Sequence, residues 1–178
     1  MAWRWNASLL LLGLGLGCSP IDPVHSRQVD ALGPESASVP RGPRHRPGQP
    51  CAVCHSDIGG APTFTVAGTV YRDNMGAVPL ADVAIDIVDS QKRTFTAHSN
   101  CAGNFFVTPG EFQPVAPFWT TLRFGDVVAP MESPIHREAS CAACHGDPAG
   151  ATSAGHVYVT ADDLAAAQIT PRACRPDE

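Results

Sequence analysis

Large aromatic side chains and charged side chains are both scarce in this sequence, whereas turn-forming residues are abundant. Aromatic residues make up 7% and charged residues 16% of the 178 positions, which also include 16 glycines and 17 prolines. A chain with few large core-filling side chains and many turn residues is poorly suited to building an extensive core. The composition therefore predicts a loop-rich body around a modest core.

Charge and hydropathy argue against two further classes of protein. The formal net charge is −5, and the sequence contains no long run of one sign. Nothing in it therefore indicates a nucleic-acid-binding surface. The apolar run at residues 9–16 is too short to cross a bilayer as a stable helix.

The N-terminus is predicted to be a targeting segment. Residues 1–17 combine Arg4, the apolar run and a small residue at the end, the pattern of a signal peptide. The segment ends in Leu14-Gly15-Leu16-Gly17-Cys18-Ser19, which resembles a bacterial lipoprotein processing site. The resemblance implies that Cys18 becomes the lipidated first residue of an exported protein, anchored to a membrane and facing the periplasm or cell surface, with the outer membrane favoured. The alternative is that Cys18 is only the small residue at the end of an ordinary secretory signal.

Two five-residue motifs carry the chemistry of the chain. They are Cys51-Ala52-Val53-Cys54-His55, here called the first motif, and Cys141-Ala142-Ala143-Cys144-His145, the second motif. Each has the Cys-x-x-Cys-His spacing of c-type haem attachment. Two thiols at this spacing add to the two vinyl groups of one haem, and the adjacent histidine provides a nitrogen ligand to the iron. The sequence therefore predicts two covalently bound haems.

Three other uses of the cysteine pairs compete with haem attachment. The first is one structural zinc bound by both pairs, but the gap from Cys54 to Cys141 is much longer than zinc sites use. The second is a thioredoxin-like dithiol at each motif, but no βαβ pattern surrounds either. Plain disulfides are the third use, because an exported chain meets an oxidising compartment. None of the three explains the histidine that follows both pairs.

A weak internal repeat surrounds the motifs and suggests the remaining iron ligands. A His-Arg pair precedes each motif, at His45 and His136, and residues 68–71 echo residues 155–158. Electron-transfer haems normally take His or Met as the sixth ligand. The candidates are His45, His98, His136, His156, Met75 and Met131. Because His45 and His136 occupy matching places, they are the predicted distal ligands, with Met131 the rival at the second haem; His98 and an exchange of ligands between haems stay open.

The segment between the motifs is predicted to form short strands. Hydrophobic alternation and turn residues indicate strands at residues 65–70, 82–87, 93–98, 103–108 and 118–124. The predicted fold is mainly β, a small antiparallel sandwich between two loop-rich haem-binding segments, with a disordered N-terminal tether. Its boundaries are 1–17 for the signal peptide, 18–44 for the proline-rich tether, 45–63 and 132–160 for the haem-binding segments, 64–131 for the sandwich and 161–178 for the tail.

The strand segment resembles the carboxypeptidase regulatory-like or transthyretin-like β-sandwich. The matching residues are Ala67-Gly68-Thr69-Val70-Tyr71, residues 78–89 and Gly103-Asn104-Phe105-Phe106. With the flanking motifs, the chain is similar to exported bacterial cytochromes that combine such a sandwich with Cys-x-x-Cys-His sites. The resemblance implies that the sandwich is a scaffold or binding platform without catalytic residues.

Two cysteines remain outside the motifs. Cys101 and Cys174 make an even number once Cys18 and the motif cysteines are set aside, so a disulfide between them is predicted, with two free thiols as the alternative. A short helix at residues 162–168, capped by Thr160, is also predicted.

The sequence favours a one-electron carrier or relay that exchanges electrons with other exported redox proteins through transient interfaces, and not an enzyme. One alternative is a haem enzyme of the peroxidase kind, which needs an open iron and acid–base groups. No such set is evident. The other alternative is a surface binding module with accessory haems.

Overall fold

A computed structural model describes residues 22–39, 41–74, 78–147 and 149–175 of the chain. Within these ranges the fold is mainly β, as predicted. The strands in chain order are β1 (Val66–Tyr71), β2 (Ala84–Asp89), β3 (Thr94–His98), β4 (Asn104–Val107), β5 (Phe118–Phe124), β6 (Val127–Pro130) and β7 (Val157–Tyr158). They form a three-stranded sheet in the order β4-β1-β7 and a four-stranded sheet in the order β3-β2-β5-β6.

The four-stranded sheet is antiparallel throughout. Strand β2 alternates half-buried and buried residues, with Ile85 and Ile87 in the core. This is the period-2 pattern expected of a strand with one covered face. The predictions at residues 82–87, 93–98 and 118–124 correspond to β2, β3 and β5, whereas β6 was not predicted.

The three-stranded sheet differs from the predicted antiparallel arrangement at one edge. Strand β4 pairs with β1 antiparallel, but β7 pairs with it parallel, with Val70 opposite Val157 and Tyr71 opposite Tyr158. A parallel pair needs a long connection, and residues 72–156 provide one. The last two residues of the sequence repeat, Val70-Tyr71 in one copy and Val157-Tyr158 in the other, therefore lie side by side in register.

Side chains from both sheets form one core, which makes the two sheets a sandwich. It joins Val66 and Val70 of β1 to Ile85, Ile87 and Leu122 of the larger sheet. Strand β1 is buried along its whole length, and the turns formed by both motifs contact it. Strand β1 is thus the structural element that the two motifs share.

Part of the proline-rich segment is helical, although no secondary structure was predicted there. Helix α1 spans Pro23–Ala31, with Pro23 in its first turn and the Asp22 side chain accepting a hydrogen bond from the Val24 N–H at 2.8 Å. None of its residues is buried. The chain after it folds back on the first motif, because the Leu32 carbonyl accepts hydrogen bonds from Arg46 and Gln49. Residues 1–21, including Cys18, lie outside the described residues, as does Met75.

The C-terminal segment is tied to the sandwich. Cys101 and Cys174 form the disulfide that the sequence predicts, and Arg172 pairs with Asp82. Helix α2 spans Ala161–Ala166, and Thr160 caps it as predicted by accepting a hydrogen bond from the Asp163 N–H at 3.0 Å. Among the described residues, no helix is long and apolar enough to cross a membrane.

Asp89, at the end of β2, is a fully buried carboxylate. Its oxygens accept hydrogen bonds from the N–H groups of Gln91, Arg93 and Val115 and from the Arg93 guanidinium, at 2.8–3.1 Å. Burial acts to raise the pKa of Asp89, but these hydrogen bonds and the adjacent guanidinium outweigh it and hold the pKa below 3.8. The ionised carboxylate therefore organises the turn that leads into β3.

Asp89→Asn is expected to lower the thermal unfolding midpoint, because the amide turns a donor toward N–H groups that need an acceptor. A carboxylate whose pKa is lower in the folded state stabilises the protein above its unfolded pKa, and this stabilisation is lost as the pH falls through the folded value. Between the wild type and Asp89→Asn, the variant should therefore lose less folding stability as the pH falls below about 4. Urea unfolding at several pH values measures both effects. Asp126→Asn, on the surface, is the control, and equal losses in the two variants would contradict the assignment.

Candidate functional site

The two motifs adopt the same backbone conformation. Each begins with a 3-10 turn, Cys51–Val53 and Cys141–Ala143. In each, the histidine N–H donates to the carbonyl of the first cysteine, at 2.9 Å in the first motif and 2.8 Å in the second. The N–H of the second cysteine donates to the same carbonyl, at 3.2 Å in both. The sequence repeat is therefore also a repeat of local structure.

Both motif histidines are oriented by a backbone carbonyl. Nδ1 of His55 is 2.7 Å from the carbonyl oxygen of Pro62, and Nδ1 of His145 is 3.0 Å from that of Gly155. A carbonyl is only an acceptor, so Nδ1 carries the proton and Nε2 keeps its lone pair. Metal-binding histidines are typically held this way, with the second ring nitrogen donating to a carbonyl or carboxylate.

Each motif lines its own large cavity. The first cavity, about 500 Å³, contains both cysteines and the histidine of the first motif in its walls, with Phe64, Phe105 and Phe106. The second cavity, about 470 Å³, is lined by the cysteines and histidine of the second motif, with Val66, Ile85, Phe105 and Leu122. Both volumes lie within the roughly 300–1,000 Å³ of small-molecule sites, and the apolar walls suit a flat hydrophobic cofactor.

The chemistry of the cysteines fits covalent attachment better than the other uses. The four motif thiols are free, whereas Cys101 and Cys174 are joined. Burial raises the pKa of Cys141 to about 12 and also raises that of Cys51. Reactive dithiols show the opposite shift. The pairs also line separate cavities, whereas a zinc ribbon brings its cysteines around one metal. Within the described ranges, no three His, Cys, Asp or Glu residues form a metal-binding group.

Charged and polar groups at the cavities suit the two carboxylates of a haem. Arg41 and Arg46 line the first cavity, where both pair with the Glu35 carboxylate. Arg137 and Glu138 line the second. Arginine binds carboxylates strongly and with defined geometry. Ser140, immediately before the second motif, is 1% exposed. Its hydroxyl lines the second cavity and has no hydrogen-bond partner among the described residues. A buried hydroxyl without a partner is costly, so this one suits a ligand that accepts its hydrogen bond.

The first cavity places His45 opposite His55, where a distal ligand was predicted. The centroids of the two imidazole rings are 5.7 Å apart. Nδ1 of His45 is hydrogen-bonded to the Gly42 carbonyl, which leaves its Nε2 free as well. His55 is held in place on its other side by stacking on Phe64, with ring centroids 4.0 Å apart.

Three candidate distal ligands line the second cavity together with His145. They are His136, Met131 and His156. His136 is exposed, whereas Met131 is half-buried and its sulfur accepts a hydrogen bond from the Thr120 hydroxyl at 3.7 Å. His156 packs against the ring of Tyr71, with centroids 4.6 Å apart. His98 lies on β3 and lines neither cavity. The structure thus pairs His45 with the first motif and leaves three candidates for the second.

Sequence reasoning missed several residues of the sites. Phe105 was noted only in a predicted strand and in the match to a sandwich family, yet it lines both cavities. Gly68 was noted in a predicted strand, the repeat and the same match, but not as the place where a side chain would meet both Phe105 and Cys141. The carbonyls of Pro62 and Gly155 have no signal in the sequence, because any residue provides a carbonyl. Ser140 also went unnoticed, although its place directly before a motif cysteine was visible. Comparison of the chain with protein-family models, curated proteins and solved structures finds no significant match.

Proposed function

We propose that this protein is a dihaem c-type cytochrome that carries or relays single electrons between exported redox proteins. Cys51 and Cys54 would attach one haem and Cys141 and Cys144 the other, with His55 and His145 as proximal iron ligands. Haem iron supplies the one-electron chemistry by alternating between its ferrous and ferric states. His45 is the proposed distal ligand at the first haem. His136 is proposed at the second, with Met131 as its rival.

The observation that carries the proposal is the matched state of the two motif histidines. Each donates Nδ1–H to a backbone carbonyl, at 2.7 Å for His55 and 3.0 Å for His145, and each lines an apolar cavity beside two free cysteines. A single histidine held in this way is also compatible with an ordinary turn that binds no cofactor. Two copies, with the same hydrogen bonds to the carbonyl of the first cysteine, support one cofactor-binding unit used twice.

The surrounding residues supply the remaining requirements of a redox site. The side chains of Phe64, Phe105 and Phe106 give the first cavity an apolar wall, and the core residues Val66, Ile85 and Leu122 do the same at the second. Burial and axial ligation are what set the potential of such a centre. With a net charge of −5, the protein would favour partners that present a basic face.

The direct test is a pyridine haemochrome spectrum of the full chain, produced in cells that attach c-type haem. We expect a c-type band at two haems per chain, because there are two complete attachment motifs. The native protein should also be low-spin and unchanged by cyanide. The absence of covalent haem, while a control cytochrome matures in the same cells, would refute the proposal. A high-spin fraction that turns over peroxide would replace it with the enzyme alternative.

We also propose that Cys18 is the site of lipidation and that the protein is anchored on the outer side of a bacterial membrane, with the outer membrane favoured. This proposal rests on the sequence around Cys18 alone, since residues 1–21 lie outside the described part of the chain. Mass spectrometry of the mature N-terminus should find an acylated Cys18. An unmodified N-terminus at a later residue would contradict the anchor, and Cys18→Ser should release the protein from membranes.

A further inference from the structure

The two cavities are neighbours, and one aromatic ring belongs to both. Phe105 is 3% exposed and lines the first cavity and the second cavity alike. It lies in β4 directly opposite Gly68 of β1. Phe106, next in the chain, points to the opposite face of the strand, as alternation requires, and lines only the first cavity. At this point, the Phe105 side chain alone therefore separates the two cavities.

Gly68 brings the second motif against this ring. A Cβ atom at position 68 would lie 3.0 Å from Cε1 of Phe105 and 3.0 Å from Sγ of Cys141. The Phe105 ring and the Cys141 sulfur thus meet at the space that a side chain on residue 68 would occupy. Cys141 is one of the two proposed attachment points of the second haem, so that haem would be fixed directly beside Phe105.

The first motif also lies close to Phe105 and to the second motif. The turns of both motifs contact β1. A third cavity, about 410 Å³, is lined by Ala52 and His55 of the first motif and by the segment from His136 to Ala139 that leads into the second. The electrostatic influence of Cys51 contributes to raising the pKa of Cys141, which agrees with their proximity. Strand β1 and Phe105 thus stand between two motifs that are close in space.

We infer that Phe105 and Gly68 form a shared wall that holds the two haems as an interacting pair, with electrons passing directly between them across Phe105. This inference rests on the proposed function. With haem bound at both motifs, the exchange would move one electron, so that a ferrous iron would be oxidised and a ferric iron reduced, and no bond would form or break. The Phe105 side chain acts as a positioning residue, because it sets the approach of the two haems and ligates neither.

The experiment uses circular dichroism in the Soret region, where two close haems couple and give a paired positive and negative band. The full chain is compared with two single-haem variants, Cys51→Ala/Cys54→Ala and Cys141→Ala/Cys144→Ala. If the haems interact, the spectrum of the dihaem protein differs from the sum of the two single-haem spectra. The midpoint potential of each haem also shifts when the other is missing, because the charge on a neighbouring iron changes with its redox state.

Phe105→Leu tests the wall in a chain that keeps both haems. It should alter the coupled band, whereas Phe95→Leu, a control on β3 that lines none of the three cavities, should leave it in place. The inference would be overturned if the spectrum of the dihaem protein equals the sum of the two single-haem spectra and each haem keeps the midpoint potential that it has in its single-haem variant. The proposed function would still stand. A wild-type chain without covalent haem would overturn both, and the haemochrome assay on each sample separates the two outcomes.

Discussion

Gly68→Val is expected to reduce covalent haem from two per chain to about one, with the loss at the second motif. The Cβ of any side chain at this position would lie 2.9 Å from Cβ of Cys141 and 3.0 Å from its sulfur. These distances are too short for ordinary contacts, and the interior is too closely packed to absorb the added groups. Cys141 would therefore be pushed from β1, and its turn would no longer present both thiols to one haem.

Haem content per chain and mass spectrometry of the haem-bearing peptides together measure this effect. Gly110→Val is the matched control, because no atom lies within 4 Å of a Cβ at that position. Gly68→Ala provides a smaller perturbation in case the valine variant fails to fold, and it should give an intermediate loss. Two haems on both Gly68 variants, in a folded chain, would show that Cys141 does not need the close approach to β1.

His45→Ala should convert about half of the haem to a high-spin form that binds cyanide, because the first haem loses its distal ligand. His45 and His55 both line the first cavity, with their ring centroids 5.7 Å apart. The hydrogen bond between Nδ1 of His45 and the Gly42 carbonyl leaves Nε2 of His45 free. Among the candidates that lie in the described part of the chain, no other one lines this cavity, so none of them can replace His45.

Absorption and electron paramagnetic resonance spectra of the oxidised protein would reveal the change. His98→Ala is the control, since His98 lines neither cavity, and it should remain low-spin. An unchanged spectrum of His45→Ala would remove that residue from the ligand set. The same measurement on His136→Ala, Met131→Ala and His156→Ala identifies the ligand at the second haem, where the side chain whose loss produces high-spin haem is the one bound.

The sandwich strands were predictable because their signal is local. The alternation of Ile85 and Ile87 with polar neighbours marks β2, and the Asn100–Gly103 turn that precedes β4 is held by the Gly103 N–H on the Asn100 carbonyl, at 2.8 Å. Strand β7 was missed because two residues, Val157 and Tyr158, are too few to show a period. Its partner is 87 positions away in sequence, a distance at which local patterns carry no information.

The residues of the candidate sites likewise fall into those that a local sequence pattern reveals and those that only tertiary contacts reveal. The motif cysteines and histidines are visible as a fixed spacing, and the place of His45 in the repeat was enough to predict it as a distal ligand. The wall between the cavities was not predictable, because it depends on the tertiary contact of Cys141 with Phe105 across Gly68. Helix α1 was not predicted either, since Pro23–Ala31 buries no side chain and so lacks an apolar stripe.

The disulfide between Cys101 and Cys174 also constrains how the mature protein is made. These cysteines are 73 residues apart in sequence, and residues 141–145 lie inside the covalent ring that they close. Under the proposed function, the four motif cysteines form thioether bonds in the same oxidising compartment in which this disulfide forms. If the disulfide forms first, haem must be attached to a motif inside a closed covalent loop. If haem attachment comes first, Cys141 and Cys144 are already modified and cannot pair wrongly with Cys101. The order of these two reactions therefore decides whether the second motif can be trapped in a mispaired isomer during biogenesis.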